Sequence, residues 1–342
     1  MTGSPVKQRE MKSQPATGSG PEVSVVICTR GRPAKLRRTL ASMARPDGPA
    51  PDTEVLIVDN GPSEATRKVV EAFREVGPLR FRYLVERSGG ASRARNLGIR
   101  QSRGSLVAFV DDDCLVDASW LAAMVHEFAR PDRPDVVGGR VELHDERDAA
   151  VTVRRATERR ICDWTEVFFS VPGCNFCVRR DVLSEIGGFD ERMGPGASLQ
   201  AAEDADLLFR AHRAGARVLY SPRPAVRHDH GRRTPNQVAE VQRRYVTGRG
   251  GFYCKHFLRG DLDVLRLAYW EVRECLGILV GSRQQPDTVL GPVERLTWLA
   301  RGAFRWIASL LRDDPERTAQ ISVASEAAGT ASRDSRTKGE VS

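Results

Sequence analysis

Short apolar runs alternate with amphipathic stretches through the first 140 residues. Residues 23–28 (VSVVIC), 54–58 (EVLIV), 81–85 and 105–110 (SLVAFV) are brief and mostly rich in β-branched side chains. Such runs mark strands covered on both faces. Between them, residues 34–43 place Leu36, Leu40 and Met43 on one helical face behind Pro33. Residues 63–76 do the same with Val69, Val70, Phe73 and Val76, and Ser63 stands where a helix cap belongs. Residues 90–101 predict a third helix. Strict alternation of strand and helix implies right-handed crossovers and a parallel sheet. Residues 117–129 and 135–141 continue as helix and strand.

The alternation then weakens. The charged stretch 142–165 is expected to be helical. Residues 167–178 read as strand, interrupted by Pro172-Gly173. Residues 180–186 form a short helix stopped by Gly187-Gly188, and 193–197 (MGPGA) a flexible loop suited to act as a lid. Residues 201–214 read as a helix closed by Gly215, and 217–220 as a strand closed by two prolines. From Pro235 onward the pattern is helical, with a break expected near 248–251 and two amphipathic segments, 262–279 and 293–311. No internal repeat is evident.

The chain has 342 residues, 40% hydrophobic and 29% charged, which fits a globular protein with a sizeable core. Seven cysteines are too few for a disulfide framework, and Cys174-x-x-Cys177 lacks the second pair a structural zinc site needs. No apolar run reaches the roughly 18 residues of a membrane span, and the polar first twenty residues do not resemble a secretory signal. A soluble, cytoplasmic setting is the expectation. The formal charge is +8, and residues 221–260 hold nine Lys and Arg against two acids. That patch suits anionic headgroups or a phosphate-bearing acceptor. Nucleic acid is the weakest choice of partner and is not expected, since no recognised binding motif accompanies the patch. Trp298, Leu299, Phe304, Trp306, Ile307 and Leu310, interspersed with arginines, fit a helix lying on the inner face of a membrane; packing against the rest of the chain or a second subunit in a homodimer is the competing explanation.

Candidate chemistry gathers at the carboxyl ends of the strands, where open α/β sheets bind ligands. Asp111-Asp112-Asp113 directly follows a buried strand. In extended chain Asp111 and Asp113 share a side while Asp112 points away. Two aligned carboxylates suit Mg²⁺ or Mn²⁺; a solvated acidic turn capping the next helix is the alternative. Thr29 and Arg30 end the first strand and Asp59 the second, and Arg95 is placed to reach the same edge. CTRGRP after the first strand is neither a dinucleotide fingerprint nor a P-loop. Further on, Glu203, Asp204 and Asp206 open a helix, where the dipole alone favours acids, but a carboxylate there can also serve as a base. His228 and His230 follow, the latter expected in a surface turn.

VSVVICTRGRP, VLIVDNG, GGASRARNLGI, VAFVDDDCLVDASWL, IGGFDERM and AEDADLLFRAHRAGARVLYSPRPAVRH stand in one order along residues 23–230. This set resembles inverting nucleotide-sugar glycosyltransferases of family 2. The resemblance implies an α/β GT-A (Rossmann-like) fold, a mostly parallel sheet flanked by helices, with a helical C-terminal extension. The organisation expected is a disordered tail at 1–20, a catalytic domain at 21–232 (nucleotide-binding half 21–115, acceptor half 116–232), a helical extension at 233–320 and a disordered tail at 321–342. It further implies a nucleoside-diphosphate sugar donor, UDP-linked by default, held by Thr29, Arg30, Asp59, Arg95, Asp111 and Asp112. A divalent cation, Mn²⁺ or Mg²⁺, would be ligated by Asp113 and His228. Asp204 would be the catalytic base, with Glu203 beside it. A retaining transferase, a sugar nucleotidyltransferase and a non-catalytic sugar-nucleotide binding subunit are the alternatives.

Overall fold

The computed structural model describes residues 20–48, 50–74, 76–166, 170–284 and 288–311. The expected tails lie outside these residues, apart from Gly20. Nine strands form one sheet in the order β3-β2-β1-β4-β8-β6-β9-β5, with β7 paired to β9. The strands are β1 Val23–Thr29, β2 Thr53–Asp59, β3 Arg80–Val85, β4 Leu106–Val110, β5 Cys114–Val116, β6 Val136–Leu143, β7 Arg160–Ile161, β8 Asn175–Arg179 and β9 Val218–His228. The first four are parallel neighbours, as the alternation predicted. β8 enters antiparallel between β4 and β6, and β6 pairs parallel with β9.

The strand period sorts the core into two layers. Val25, Ile27, Val55, Ile57, Ala108 and Val110 face the layer holding Leu36, Leu40 and Trp120. Val26, Leu56, Val58, Val107 and Phe109 face the layer holding Ala94, Leu207 and Leu208. Helices α1 Pro33–Met43, α2 Glu64–Glu71 and α4 Trp120–Phe128 supply the first layer. Helices α3 Ala91–Gln101, α5 Arg180–Ile186 and α6 Glu203–Arg213 supply the second.

Four expectations need correction. Of the strand expected at 167–178, residues 167–169 lie outside the described residues and β8 begins only at Asn175. Among the described residues of 142–165 there is no helix. The segment instead bridges Val141 to Arg154 and adds β7, so its charges line a sheet edge. The 217–220 strand does not stop at its prolines but runs on to His228, Pro222 and Pro224 lying beside the irregularity between Gly138 and Arg140 of β6. Helix α7 Pro235–Leu258 also continues unbroken through its glycines. A Cβ on Gly250 would stand 2.0 Å from the Leu299 carbonyl oxygen of α9 Pro292–Leu311, and Cβ atoms on Gly248 and Gly251 would meet Ala201 and Leu199, so these glycines serve close packing rather than a break.

With α8 Val264–Leu279, these helices form a third core around Phe252, Leu267, Leu299 and Trp306, which closes over Met193, Leu199, Ala205 and Phe209. No described helix is long and apolar enough to cross a membrane.

Candidate active site

Parallel pairing of β1, β2 and β4 sets Thr29, Asp59 and Asp111 at one edge of the sheet. The chain then turns back at β5. The antiparallel pairing of Cys114 with His228 carries the imidazole to the carboxylates, and the Asp229 amide bonds the Asp113 carbonyl at 2.8 Å. Two groups more than a hundred residues apart thus meet: His228 Nε2 lies 3.2 Å from Asp113 Oδ1. Ligand atoms of Asp111, Asp113 and His228 all fall within 4.8 Å of one another.

The alternation expected for the triple aspartate is present. Asp112 turns inward and is fully buried; its carboxylate accepts from Thr29 Oγ1 at 2.6 Å and pairs with Arg32. Burial is the main cause pushing its pKa up to about 6, with Arg32 and Thr29 opposing. Asp113 has the opposite balance. Burial works against its charge, but His228, Arg32 (2.9 Å) and Lys35 (3.7 Å) hold it well below the usual carboxylate range. His228 is pushed up to about 9, since the Asp113 bond and charge outweigh burial. Its Nδ1 is engaged by Thr152 Oγ1 at 2.9 Å, which leaves Nε2 toward the acids.

The second group of acids arrives on α6. Ala202, at its start, has φ of 71°, a left-handed conformation that is strained for alanine. Glu203 and Asp204 follow in the first turn. Arg95 of α3 bridges the two acidic groups, donating to Glu203 Oε1 at 2.7 Å and to Asp111 Oδ1 at 3.2 Å. Burial is the largest cause raising both acids: Glu203 is pushed up to about 7, with Asp204 adding to the effect and Arg95 opposing it, and Asp204 is raised in the same direction. Asp204 is only half-buried, and Oδ1 accepts from the Ala205 amide at 2.8 Å. A Cβ on Gly173 would stand 2.0 Å from its Oδ2. The loop therefore needs glycine to leave room for this carboxylate.

The structure separates the remaining sequence-predicted residues. Asp59 is fully buried, and its carboxylate accepts from the Gly61 and Ser63 amides and from Tyr83 Oη at 2.9 Å. It shapes the 59–63 turn. Thr29 is likewise buried on Asp112. Arg30 is exposed beside Gly61. His230, expected at the surface, is buried and bonds the Ala149 carbonyl and the Arg232 amide. The 193–197 loop, expected to be a flexible lid, is pinned to α3 by Ser92 to the Met193 carbonyl at 2.6 Å and by the Ala91 amide to Pro195 at 2.9 Å. Arg32, Lys35 and Gly173 were not singled out from the sequence; the only signal was the density of cations in CTRGRPAK.

A family model described as glycosyl transferase family 2 matches residues 24–187, and one described as glycosyl transferase family group 2 matches residues 106–311. The chain is 30% identical over 237 residues to the pre-mycofactocin glycosyltransferase of Mycobacterium tuberculosis, spanning 64% of this chain and 45% of that protein. It is 27% identical over 308 residues to the validoxylamine A glucosyltransferase of Streptomyces hygroscopicus subsp. limoneus, spanning 78% of this chain and 63% of that one. The chain thus covers about half to two thirds of the length of these relatives. Among solved structures, the mannosyltransferase PcManGT of Pyrobaculum calidifontis, in complex with GDP-Man and Mn²⁺, superposes with a TM-score of 0.50 at 18% identity, over 90% of this chain and 81% of that one.

Proposed function

The chain belongs to glycosyltransferase family 2 with the GT-A fold, and on that premise we propose that it moves a sugar from a nucleoside-diphosphate sugar to an acceptor hydroxyl, with inversion at the anomeric carbon and assistance from Mn²⁺ or Mg²⁺. A UDP-sugar is the first donor to try. The acceptor is a hydroxyl of a cell-surface glycan, a glycolipid or a secondary metabolite. The observation that carries this reading is the convergence of Asp111, Asp113 and His228 with Glu203 and Asp204, joined through Arg95.

Asp111, Asp113 and His228 fit a hard divalent cation. They offer two carboxylates and an imidazole whose other nitrogen is already held, and a cation at this position would take the place of the proton that Asp113 favours on Nε2. Cys114 and Cys174 lie near His228, but burial drives the Cys114 thiol well above its ordinary value and disfavours the thiolate a soft ion needs. When bound, the cation neutralises charge developing on the diphosphate leaving group. Arg32 and Lys35 add positive charge at the same edge. Asp204 takes the proton from the acceptor hydroxyl. The freed oxygen forms the new bond to the anomeric carbon as the bond to diphosphate breaks, and the electron pair leaves on the diphosphate. Asp204 is the better base because Glu203 is committed to Arg95. Asp112, Thr29 and Asp59 act by fixing the loops, and Arg30, exposed beside Gly61, is left to meet the nucleoside.

The test is a panel of nucleotide sugars with Mn²⁺, read as thermal stabilisation. The matching donor raises the midpoint of the wild type, and Asp113→Ala loses the metal-dependent part of the rise. Asp204→Asn keeps donor binding and loses transfer by about 10²–10⁴-fold. Full turnover in Asp204→Asn overturns the base assignment.

A further inference from the structure

Helix α8 carries its polarity the wrong way round for a surface helix. Its acids turn inward: Glu271 accepts from Arg249 at 3.0 Å and from Tyr253 at 2.9 Å, and Glu274 from Arg295 at 3.2 Å. Its outward face is apolar. Leu265, Tyr269, Trp270, Val272, Leu276 and Leu279 are each 37–60% exposed. Five of them recur at alternating steps of four and three, one continuous stripe along the helix. Leu262 and Val280 extend it past both helix ends. The only charged residues in the exposed set are Arg266 and Arg273, the latter stacked 5.1 Å from the Trp270 ring. Asp263, at the helix start, is paired with Arg213.

The aromatic segment that the sequence suggested for a membrane contact divides differently. Trp306 and Leu299 of α9 are buried in the third core, and only Phe304, Ile307 and Leu310 of that set stand exposed.

We propose that the outward face of α8 is a docking surface for an anionic lipid bilayer, lying in the headgroup region with Tyr269 and Trp270 at the polar–apolar boundary. Charge complementarity selects this occupant. An apolar stripe flanked by arginines alone, with aromatic side chains among them, matches an acidic headgroup layer over hydrocarbon. A second copy of the same face would bring arginines against arginines with no outward acid on α8 to meet them. The surface is independent of the transfer chemistry, and it sets a peripheral contact where no described helix spans.

Flotation of the full chain with vesicles of phosphatidylcholine alone, or of phosphatidylcholine and phosphatidylglycerol in equal parts, tests this. The wild type floats with the anionic vesicles, stays behind with the neutral ones, and is released by high salt. Leu265→Glu with Leu276→Glu abolishes flotation while the protein stays folded, since both residues are about half exposed on the outward face. Arg266→Ala with Arg273→Ala lowers partitioning on the order of tenfold or more. Failure of the wild type to float, or flotation of the glutamate variant at the wild-type level, overturns the proposal. So does a non-floating wild type that light scattering shows to be a dimer and the glutamate variant to be a monomer; that outcome assigns the face to a second copy.

Discussion

Asp111 and Asp113 were legible from the sequence because strand alternation is local: whichever residue ends a buried strand, its neighbours two apart share a side. The inward turn of Asp112 follows from the same rule, and its bond to Thr29 shows where the side chain goes instead. Gly173 was not legible. Its meaning depends on Asp204, which reaches it only through the packing of α6 on the sheet. Its backbone is outside the left-handed region, and the three atoms nearest to an added Cβ all belong to the Asp204 side chain. Gly173→Ala is therefore expected to fold with a near-wild-type midpoint and to lose kcat on the order of 10–100-fold, because a displacement of about 1 Å at a catalytic group has that effect. Wild-type kcat in this variant would mean that Asp204 tolerates the shift and is not the base. Burial of Glu203 and Asp204 also fixes the pH response. Both pKa values are raised, so the protonated, inactive form persists to higher pH. The acid limb of kcat/KM should lie above the range of an ordinary aspartate, near 3.9. Activity rises with pH through that displaced limb, and a limb at the ordinary value would contradict the effect of burial.

Among the elements, the parallel half was readable because each strand is short, buried on both sides and followed by its own helix. The antiparallel half was not. β8, β6 and β9 are held by groups distant in sequence, and the charged stretch 142–165 has helical composition but serves the sheet edge. Asn175 is the clearest of these ties. It opens β8, is fully buried, donates to the Arg140 and Pro224 carbonyls at 2.9 and 3.0 Å, and accepts from Trp120 Nε1 at 2.8 Å. One side chain thus joins β6, β8, β9 and α4 beside the irregularity that lets β9 continue toward His228. Asn175→Leu keeps the size but leaves two carbonyls and an indole N–H without partners. Each buried, unsatisfied group costs about 1–3 kcal/mol. The variant should lose about 3 kcal/mol or more in urea unfolding, and its metal-dependent donor binding should weaken with the displaced His228. A loss below 1 kcal/mol would show that water replaces these bonds.

At the scale of the whole molecule, the question is how the C-terminal helices are fastened to the catalytic sheet. The amphipathic segments were visible in sequence, but their attachment was not, because it runs through charges that would ordinarily be assigned to the surface. Asp206 on α6 is fully buried and meets Arg210 at 2.8 Å, Lys255 at 2.5 Å and His256 at 2.9 Å. Lys255 is 1% exposed and also reaches Asp190 at 2.9 Å. The turn before Glu203 and Asp204 and helix α7 therefore share one ionic knot. Burial disfavours the charge on Asp206, yet His256, Lys255 and Arg210 hold its pKa below the ordinary value; Asp190 is lowered too, against its own burial, by Arg192 and Lys255. A depressed folded pKa means that the stabilisation is complete above the unfolded value, near 3.9, and fades as pH falls from there toward the folded value. The thermal midpoint should fall steeply below about pH 4 in the wild type. Asp206→Asn removes the charge at every pH and leaves Lys255 buried with a single partner. It should cost about 3–5 kcal/mol at neutral pH, the usual penalty for breaking a buried pair, and flatten the acid limb. A variant that keeps the wild-type acid slope would place the acid sensitivity in other carboxylates and leave the attachment of the arm to its apolar core alone.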